Sequence, residues 1–308
     1  MNSIKSIFHE AGRHAVLLLH GLSSSPHEMR FLSRALYREG FTVSAPNLDG
    51  YSAGSQEQRM EVWLASALQE FDALQSKYAR VSICGLSIGA TLSTALAAER
   101  PAARSLILLS VTLDYDGWAI PWYRFLLGWA YYTPLRHRWR YREGEPYGLK
   151  NRALRVKIAR AMQKDGVSEV GPSTISLPAL HEASRLSARV RRQLPAITAD
   201  TLIIHAIDDE TSSPLNARFV DSLIGASFLR TIFLDDSYHM IASDNEREIV
   251  AREIVMFLRE SDAGNSGYRT TPRVSAALAR RSARLRRSPN DRLHCQSCSA
   301  SSATPLEP

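Results

Sequence analysis

Residues 81 to 93 read VSICGLSIGATLS and set one serine, Ser87, between Gly85 and Gly89. A short apolar run precedes the serine, and a run of small residues follows it. Gly-x-Ser-x-Gly between a strand and a helix is the pattern of a sharp turn that lifts a serine hydroxyl above a sheet. The glycines have a steric job there. The serine takes a strained backbone conformation, and a Cβ two positions to either side would collide with the crossing chain. Five loosely specified residues also recur by chance, so the rest of the chain has to supply the context.

Outward from that turn, residues 15–19 (AVLLL) and 41–46 (FTVSAP) read as buried strands. The segment between them has apolar residues at 29, 32, 36 and 37, a helical spacing. Residues 56–78 carry Met60, Trp63, Leu64, Ala67, Leu68, Phe71 and Leu74 on one helical face. RVSIC (80–84), the serine turn, a small-residue helix over 88–99 and strand 105–111 (SLILLSV) follow. Strand 201–207 (TLIIHAI), a helix over 214–224, strand 229–234 (LRTIFL) and a helix over 244–259 complete the series. Apolar strands alternating with helices predict an α/β fold, a mostly parallel sheet covered on both faces.

The alternation breaks over 114–199, which holds Trp118, Trp122, Trp129 and Trp139, four of the five tryptophans. An insertion of that length needs helices of its own, and its place above the strand ends predicts a cap over a site. From residue 261 the texture turns to Ser, Ala, Gly and Arg. The domains read as a core over 1–113 and 200–260, a cap over 114–199 and a disordered basic tail over 261–308.

Of the net charge of +7, the tail carries +5, eight arginines against Asp262, Asp291 and Glu307. The body is close to neutral, so its charge says little about its substrate. Six arginines lie between 273 and 287, with no interleaved aromatics to stack on bases. No nucleic-acid partner is expected, and a solvated appendage is the default against a weak contact with acidic membranes. The start of the chain lacks a secretory apolar segment, and GWAIPWYRFLLGWAYYTPL is interrupted by Pro121 and Arg124. Three cysteines make no disulfide framework, so a cytoplasmic location is expected. Cys295 and Cys298, even with His294, fall short of a zinc site; no metal and no cofactor are expected.

A serine nucleophile needs a base, and the base needs an orienting acid, in the chain order Ser, Asp or Glu, His. His239 follows strand 229–234 just before the last helix. His205 lies inside a strand run, and His9 and His14 precede the first firm strand. His27 opens a helix, His137 and His181 fall in the cap, and His294 is in the tail. Asp208 and Asp209 compete for the acid, Asp209 being favoured because it lies further along the strand-end turn that leads to Pro214. The tetrahedral oxyanion needs backbone N–H donors, and Ile88 and Leu22 in the His20-Gly21 turn are placed to give them.

VLLLHGLSSSPHEM, GLSIGA, LIIHAIDDETSSP and SYHMI, four separated motifs in order, together resemble the α/β-hydrolase superfamily over residues 12 to 260. The likeness is to its bacterial carboxylesterase, monoacylglycerol lipase and serine-aminopeptidase-like (S33) branch. It implies Ser87 as nucleophile, His239 as base, Asp209 as acid, and Leu22 and Ile88 as oxyanion donors. Two positions depart from it: Tyr51 stands where His is common, and Tyr238 where Gly is frequent. The implied activity is hydrolysis of a small-molecule ester, of small to medium acyl chain or monoacylglycerol-like, through an acyl-serine. Amide, peptide or thioester hydrolysis is the nearest rival. A nucleophilic Asp is excluded by Ser87, and a non-catalytic binding protein on this fold should have lost part of the triad.

Overall fold

A computed structural model describes residues 5–142, 144–165, 167–168, 171–172, 174–264 and 269–270. The basic stretch 273–287 and the pair Cys295 and Cys298 lie outside these residues. The chain begins with β1 (Ile7–His9), β2 (His14–Leu19), α1 (Arg30–Arg38), β3 (Thr42–Ala45) and α2 (Met60–Gln75). It continues with β4 (Arg80–Leu86), α3 (Ile88–Glu99) and β5 (Ser105–Leu109). Then come α4 (Leu126–Ala130), β6 (Arg140–Arg142), α5 (Arg152–Asp165), β7 (Val167–Ser168), β8 (Gly171–Pro172), β9 (Thr174–Ser176) and α6 (Leu177–Gln193). β10 (Asp200–Ala206), α7 (Pro214–Leu223), β11 (Leu229–Leu234), α8 (Arg247–Asp262) and β12 (Arg269–Thr270) follow.

The main sheet runs in the order β1-β3-β2-β4-β5-β10-β11-β12, parallel except where β1 meets β3. Its central strands are buried along nearly their whole length, as continuous apolar runs require of a sheet covered on both faces. One apolar cluster joins the sheet to α2, α3, α6 and α7, and the other joins it to α1 and α8. Helix α2 turns Met60, Trp63, Leu64, Ala67, Phe71 and Leu74 inward at helical spacing. Pro214 at the first helical position and Ser213, whose Oγ accepts the Leu215 N–H at 3.4 Å, start α7. Among the described residues no helix is long and apolar enough to cross a membrane.

Three sequence-based boundaries move. Helix α6 falls inside the expected cap span 114–199, yet its Ala183, Leu186 and Val190 belong to the same buried cluster as α3. It is part of the body, and the insertion proper ends near β9. The helix expected over 244–259 starts later, because the Asp244 carboxylate is engaged with the Lys150, Asn151 and Tyr238 N–H groups at 2.7–2.9 Å. The same helix runs past residue 260, so the tail does not begin at 261. Ser261 is buried, with its hydroxyl 2.6 Å from Asp200 Oδ2 and 2.9 Å from Ser105 Oγ. Asp262 Oδ2 lies 3.0 Å from His14 Nδ1, whose other ring nitrogen is 2.8 Å from Ser82 Oγ. His14 is thus a buried residue of β2, not one that precedes the sheet.

Candidate active site

The chain leaves β4 at Leu86 and enters α3 at Ile88, so Ser87 alone makes the turn, at φ 59° and ψ −123°. That left-handed conformation is costly for a residue with a Cβ, and the two glycines permit it. A Cβ on Gly85 would run into the Gly89 carbonyl and Ser93 Oγ, and one on Gly89 into the carbonyls of Leu19 and His20. The small-residue start of α3 lets it cross β2 at backbone contact.

The Ser87 hydroxyl lies 2.8 Å from His239 Nε2 and 3.4 Å from Thr112 Oγ1. His239 Nδ1 faces both Asp209 oxygens, at 2.8 and 3.0 Å. The carboxylate also accepts the Thr211 and Ser212 N–H groups at 2.9 and 2.8 Å. Burial would raise the Asp209 carboxyl, but the adjoining His239, with His205 and the Ser212 N–H, holds it below its ordinary range. Asp208 points elsewhere, with Lys150 Nζ 3.7 Å from its carboxylate. His205 is fully buried in β10, its Nε2 2.8 Å from the Ser212 carbonyl, and burial lowers its pKa. The structure thus brings Ser87, His239 and Asp209 together in one hydrogen-bonded row and leaves Asp208 out.

Two residues that the sequence reading passed over fix the His239 backbone. Glu210 Oε2 accepts its N–H at 3.1 Å, and the Ser110 hydroxyl donates to its carbonyl at 2.7 Å. Burial first, then the Asp209 charge, pushes the Glu210 carboxyl up to about 7. Tyr238 packs edge-on to Trp118, with ring centroids 5.8 Å apart, while the Trp118 indole donates to the Asp208 carbonyl at 3.0 Å. The Tyr that replaces the frequent Gly therefore anchors the loop from outside. A repeating pattern marks none of these residues in the sequence.

Across the serine lies the loop after β2. Its Gly21 N–H donates to the buried Glu28 carboxylate at 2.7 Å, and the Ser23 N–H to the Tyr51 carbonyl at 3.1 Å. Tyr51 is buried too; its hydroxyl donates to the His20 carbonyl at 2.8 Å, and its ring packs on His20 and Trp63. His20 Nε2 reaches Ser52 Oγ at 2.9 Å, and burial pushes its pKa down to about 4. The residue in the His position of related loops is thus a brace under the turn. Leu22 and Ile88 are buried, and among the described residues no hydrogen bond takes up either backbone N–H.

A cavity of about 520 Å³ opens between the insertion and α6. Tyr115, Ile120, Trp139, Tyr141, Leu177 and Leu180 give it apolar walls, and Glu210 and Thr211, the residues after Asp209, close one side. Ser87, His239 and Asp209 are not in its wall; the cavity borders the row through Glu210 and Thr211. Of the four insertion tryptophans only Trp139 lines it, whereas Trp118, Trp122 and Trp129 are exposed. Tyrosines, Ile120, Trp139 and α6 thus make up its apolar wall. Among the described residues no three His, Cys, Asp or Glu side chains converge to hold a metal ion. Cys84 is buried in β4, where burial pushes its thiol up.

A parallel sheet wound with helices on both faces, bearing a strained serine turn after a central strand, defines an α/β-hydrolase. More narrowly, the family described as "Serine aminopeptidase, S33" matches residues 10–246, and the chain belongs to that family. The chain is 24% identical over 265 residues to the thermostable monoacylglycerol lipase of Bacillus sp. (strain H-257), covering 85% of this chain and 97% of that protein. It is 23% identical over 257 residues to a carboxylesterase of Bacillus subtilis (strain 168), covering 82% and 95%. The crystal structure of the Paleococcus ferrophilus monoacylglycerol lipase superposes with a TM-score of 0.69 at 18% identity, covering 83% of this chain and 98% of that one.

Proposed function

We propose that the protein is a serine esterase that cleaves small to medium acyl esters or monoacylglycerol-like lipids through an acyl-serine intermediate. The observation that carries this reading is the row Ser87–His239–Asp209 at 2.8 Å spacings beside an apolar cavity. Ser87 Oγ attacks the ester carbonyl carbon while His239 Nε2 takes its proton. Asp209, buried and held ionised, keeps the ring in the tautomer with hydrogen on Nδ1 and stabilises the imidazolium. The carbonyl oxygen becomes an oxyanion facing the Leu22 and Ile88 N–H groups, each worth about 10²–10³ in rate at such sites. Ile88 also opens α3, whose dipole favours negative charge. The tetrahedral adduct collapses, the C–O bond to the alcohol breaks, and His239 protonates the departing oxygen. Water then attacks the acyl-serine by the same route and releases the acid.

The insertion from residue 114 to β9 acts in this proposal as a cap, and the cavity beneath it takes the apolar part of the substrate. The names of the two Bacillus relatives support ester cleavage, whereas the family description keeps amide cleavage as the rival. The chain is taken to work in the cytoplasm. A panel of p-nitrophenyl esters from acetate to palmitate, run beside aminoacyl anilides and acyl-CoA thioesters, decides between them. Ester turnover that disappears in Ser87→Ala, with fluorophosphonate labelling confined to wild type, is the expected result. A Ser87→Ala protein that keeps a tenth of wild-type ester turnover refutes the mechanism, and faster anilide than ester turnover refutes the substrate class.

A further inference from the structure

The cavity between the insertion and α6 is not apolar throughout. Arg124, Arg140 and Arg142 line it together with Ile120, Leu177 and Leu180. Arg140 and Arg142 are alternate residues of β6, so they share one side of the strand, about 7 Å apart along it. Pairing with β9 fixes them there, Arg140 opposite Ser176 and Arg142 opposite Thr174. Tyr141 between them packs against the buried cluster of the body. Arg124 belongs to the turn before α4, and its guanidinium donates to the Tyr115 carbonyl, which occupies only part of its donor fork.

A pocket for a plain acyl chain gains nothing from guanidinium groups. Among the described residues neither Arg140 nor Arg142 has a side-chain hydrogen bond or an ion pair. The carboxylates in the same wall are Glu145 and Glu210. Glu210 is already engaged, its two oxygens accepting the His239 N–H at 3.1 Å and the Thr211 hydroxyl at 3.2 Å. That leaves Glu145 alone against three arginines. The near-neutral body thus hides a local positive excess inside the one compartment that borders the serine row. Planar guanidinium forks bind carboxylates and phosphates through paired N–H donors, and apolar walls strengthen the bond by keeping water off it.

We propose that the cavity selects anionic esters, those with an apolar arm that ends in a carboxylate or phosphate clamped by Arg140 and Arg142, with Arg124 as a further donor. The inference rests on the esterase reading above and narrows its substrate class. Apolar walls take the connecting methylenes, and the arginines read the charged end. The clamped anion takes no part in bond making; it decides which ester is presented to Ser87. A neutral ester of the same length fills the walls equally and leaves the guanidinium groups without their partner.

The test compares p-nitrophenyl hydrogen suberate, which ends in a free carboxylate, with its methyl ester, the same chain without the charge. A second pair, 1-decanoylglycerol 3-phosphate and 1-decanoylglycerol, places a phosphate in the alcohol arm. In at least one pair wild type is expected to favour the anionic member by about tenfold or more in kcat/KM, and the favoured pair tells which arm enters the cavity. Added salt should narrow that gap. In R140Q/R142Q the preference is expected to fall to about threefold or less, through a higher KM for the anionic ester. R140K/R142K, which keeps the charge and loses the fork, should retain part of it. Calorimetric binding of all four compounds to full-length Ser87→Ala repeats the comparison without turnover. The proposal is overturned if neither pair favours the anion, or if R140Q/R142Q keeps the wild-type preference. Absent ester turnover with the preference retained in Ser87→Ala binding would sink the esterase reading alone, and turnover without preference would sink this inference alone.

Discussion

Replacing Glu28 with glutamine keeps an acceptor for the Gly21 N–H and removes a proton that titrates. The Glu28 side chain is sealed beneath the loop after β2, and burial pushes its carboxyl up to about 7 from an ordinary 4.5. The Ser24 side chain, the Gly21 N–H and the charge of His239 oppose that rise only in part. Between pH 4.5 and 7 the folded protein therefore holds a proton that the unfolded chain has released, and stability falls as pH rises through that window. At about 1.4 kcal/mol per pH unit, the penalty is on the order of 3 kcal/mol above pH 7 and disappears near pH 4. Glutamine never meets it. Urea unfolding of both proteins at several values between pH 4.5 and 8 should show Glu28→Gln gaining on wild type by up to about 3 kcal/mol as pH rises. His20, whose pKa of about 4 gives the opposite slope, and Glu210 are common to both proteins and cancel in the difference. A stability difference that stays constant from pH 4.5 to 8 refutes the reasoning, because a buried carboxyl with a raised pKa cannot give one.

Asp209→Asn should lower ester turnover by about 10⁴, and Asp208→Asn by less than about threefold, as kcat measured on p-nitrophenyl butyrate would read. Ending the chain after Glu260 should cost about 2–4 kcal/mol relative to ending it after Thr270, because Asp200 and His14 lose buried partners; Ser261→Ala in the full chain should give about half of that in urea unfolding. Trp139→Ala should shift acyl-chain preference on p-nitrophenyl esters, whereas Trp122→Ala should leave it unchanged, since only the first lines the cavity. Gly89→Ala should leave little folded protein by thermal melt, its Cβ having nowhere to go against the His20 carbonyl.

The sheet was legible because its strands are buried on both faces and therefore read as unbroken apolar runs, and α3 because its helix spans the residues that small side chains mark. Ser87, Asp209 and His239 stood out by order along the chain, each just past a strand. Long-range polar contacts carry no periodicity, and that is why Glu28, Ser110 and Glu210 were missed. Each acts on a backbone group brought near only by folding. Two of the three shifted borders have one cause. Ser261 and the middle of α6 look polar or small in the sequence, and only their neighbours in space, Asp200 and α3, draw them into the interior. The outward tryptophans reverse the usual reading of aromatic residues as core, which composition alone could not reveal.

Helix α6 presents two separate rows of side chains. Leu177, Leu180, His181 and Ser184 look into the cavity, while Ala183, Leu186 and Val190 grip the body beside α3. The rows are offset around one cylinder, so the first can be rewritten residue by residue while the second keeps the helix where it is. Lineages diverging from this chain, and laboratories redesigning it, thus have a short, rigid panel on which to vary the shape of the guest, with the nucleophile's own foundations left alone.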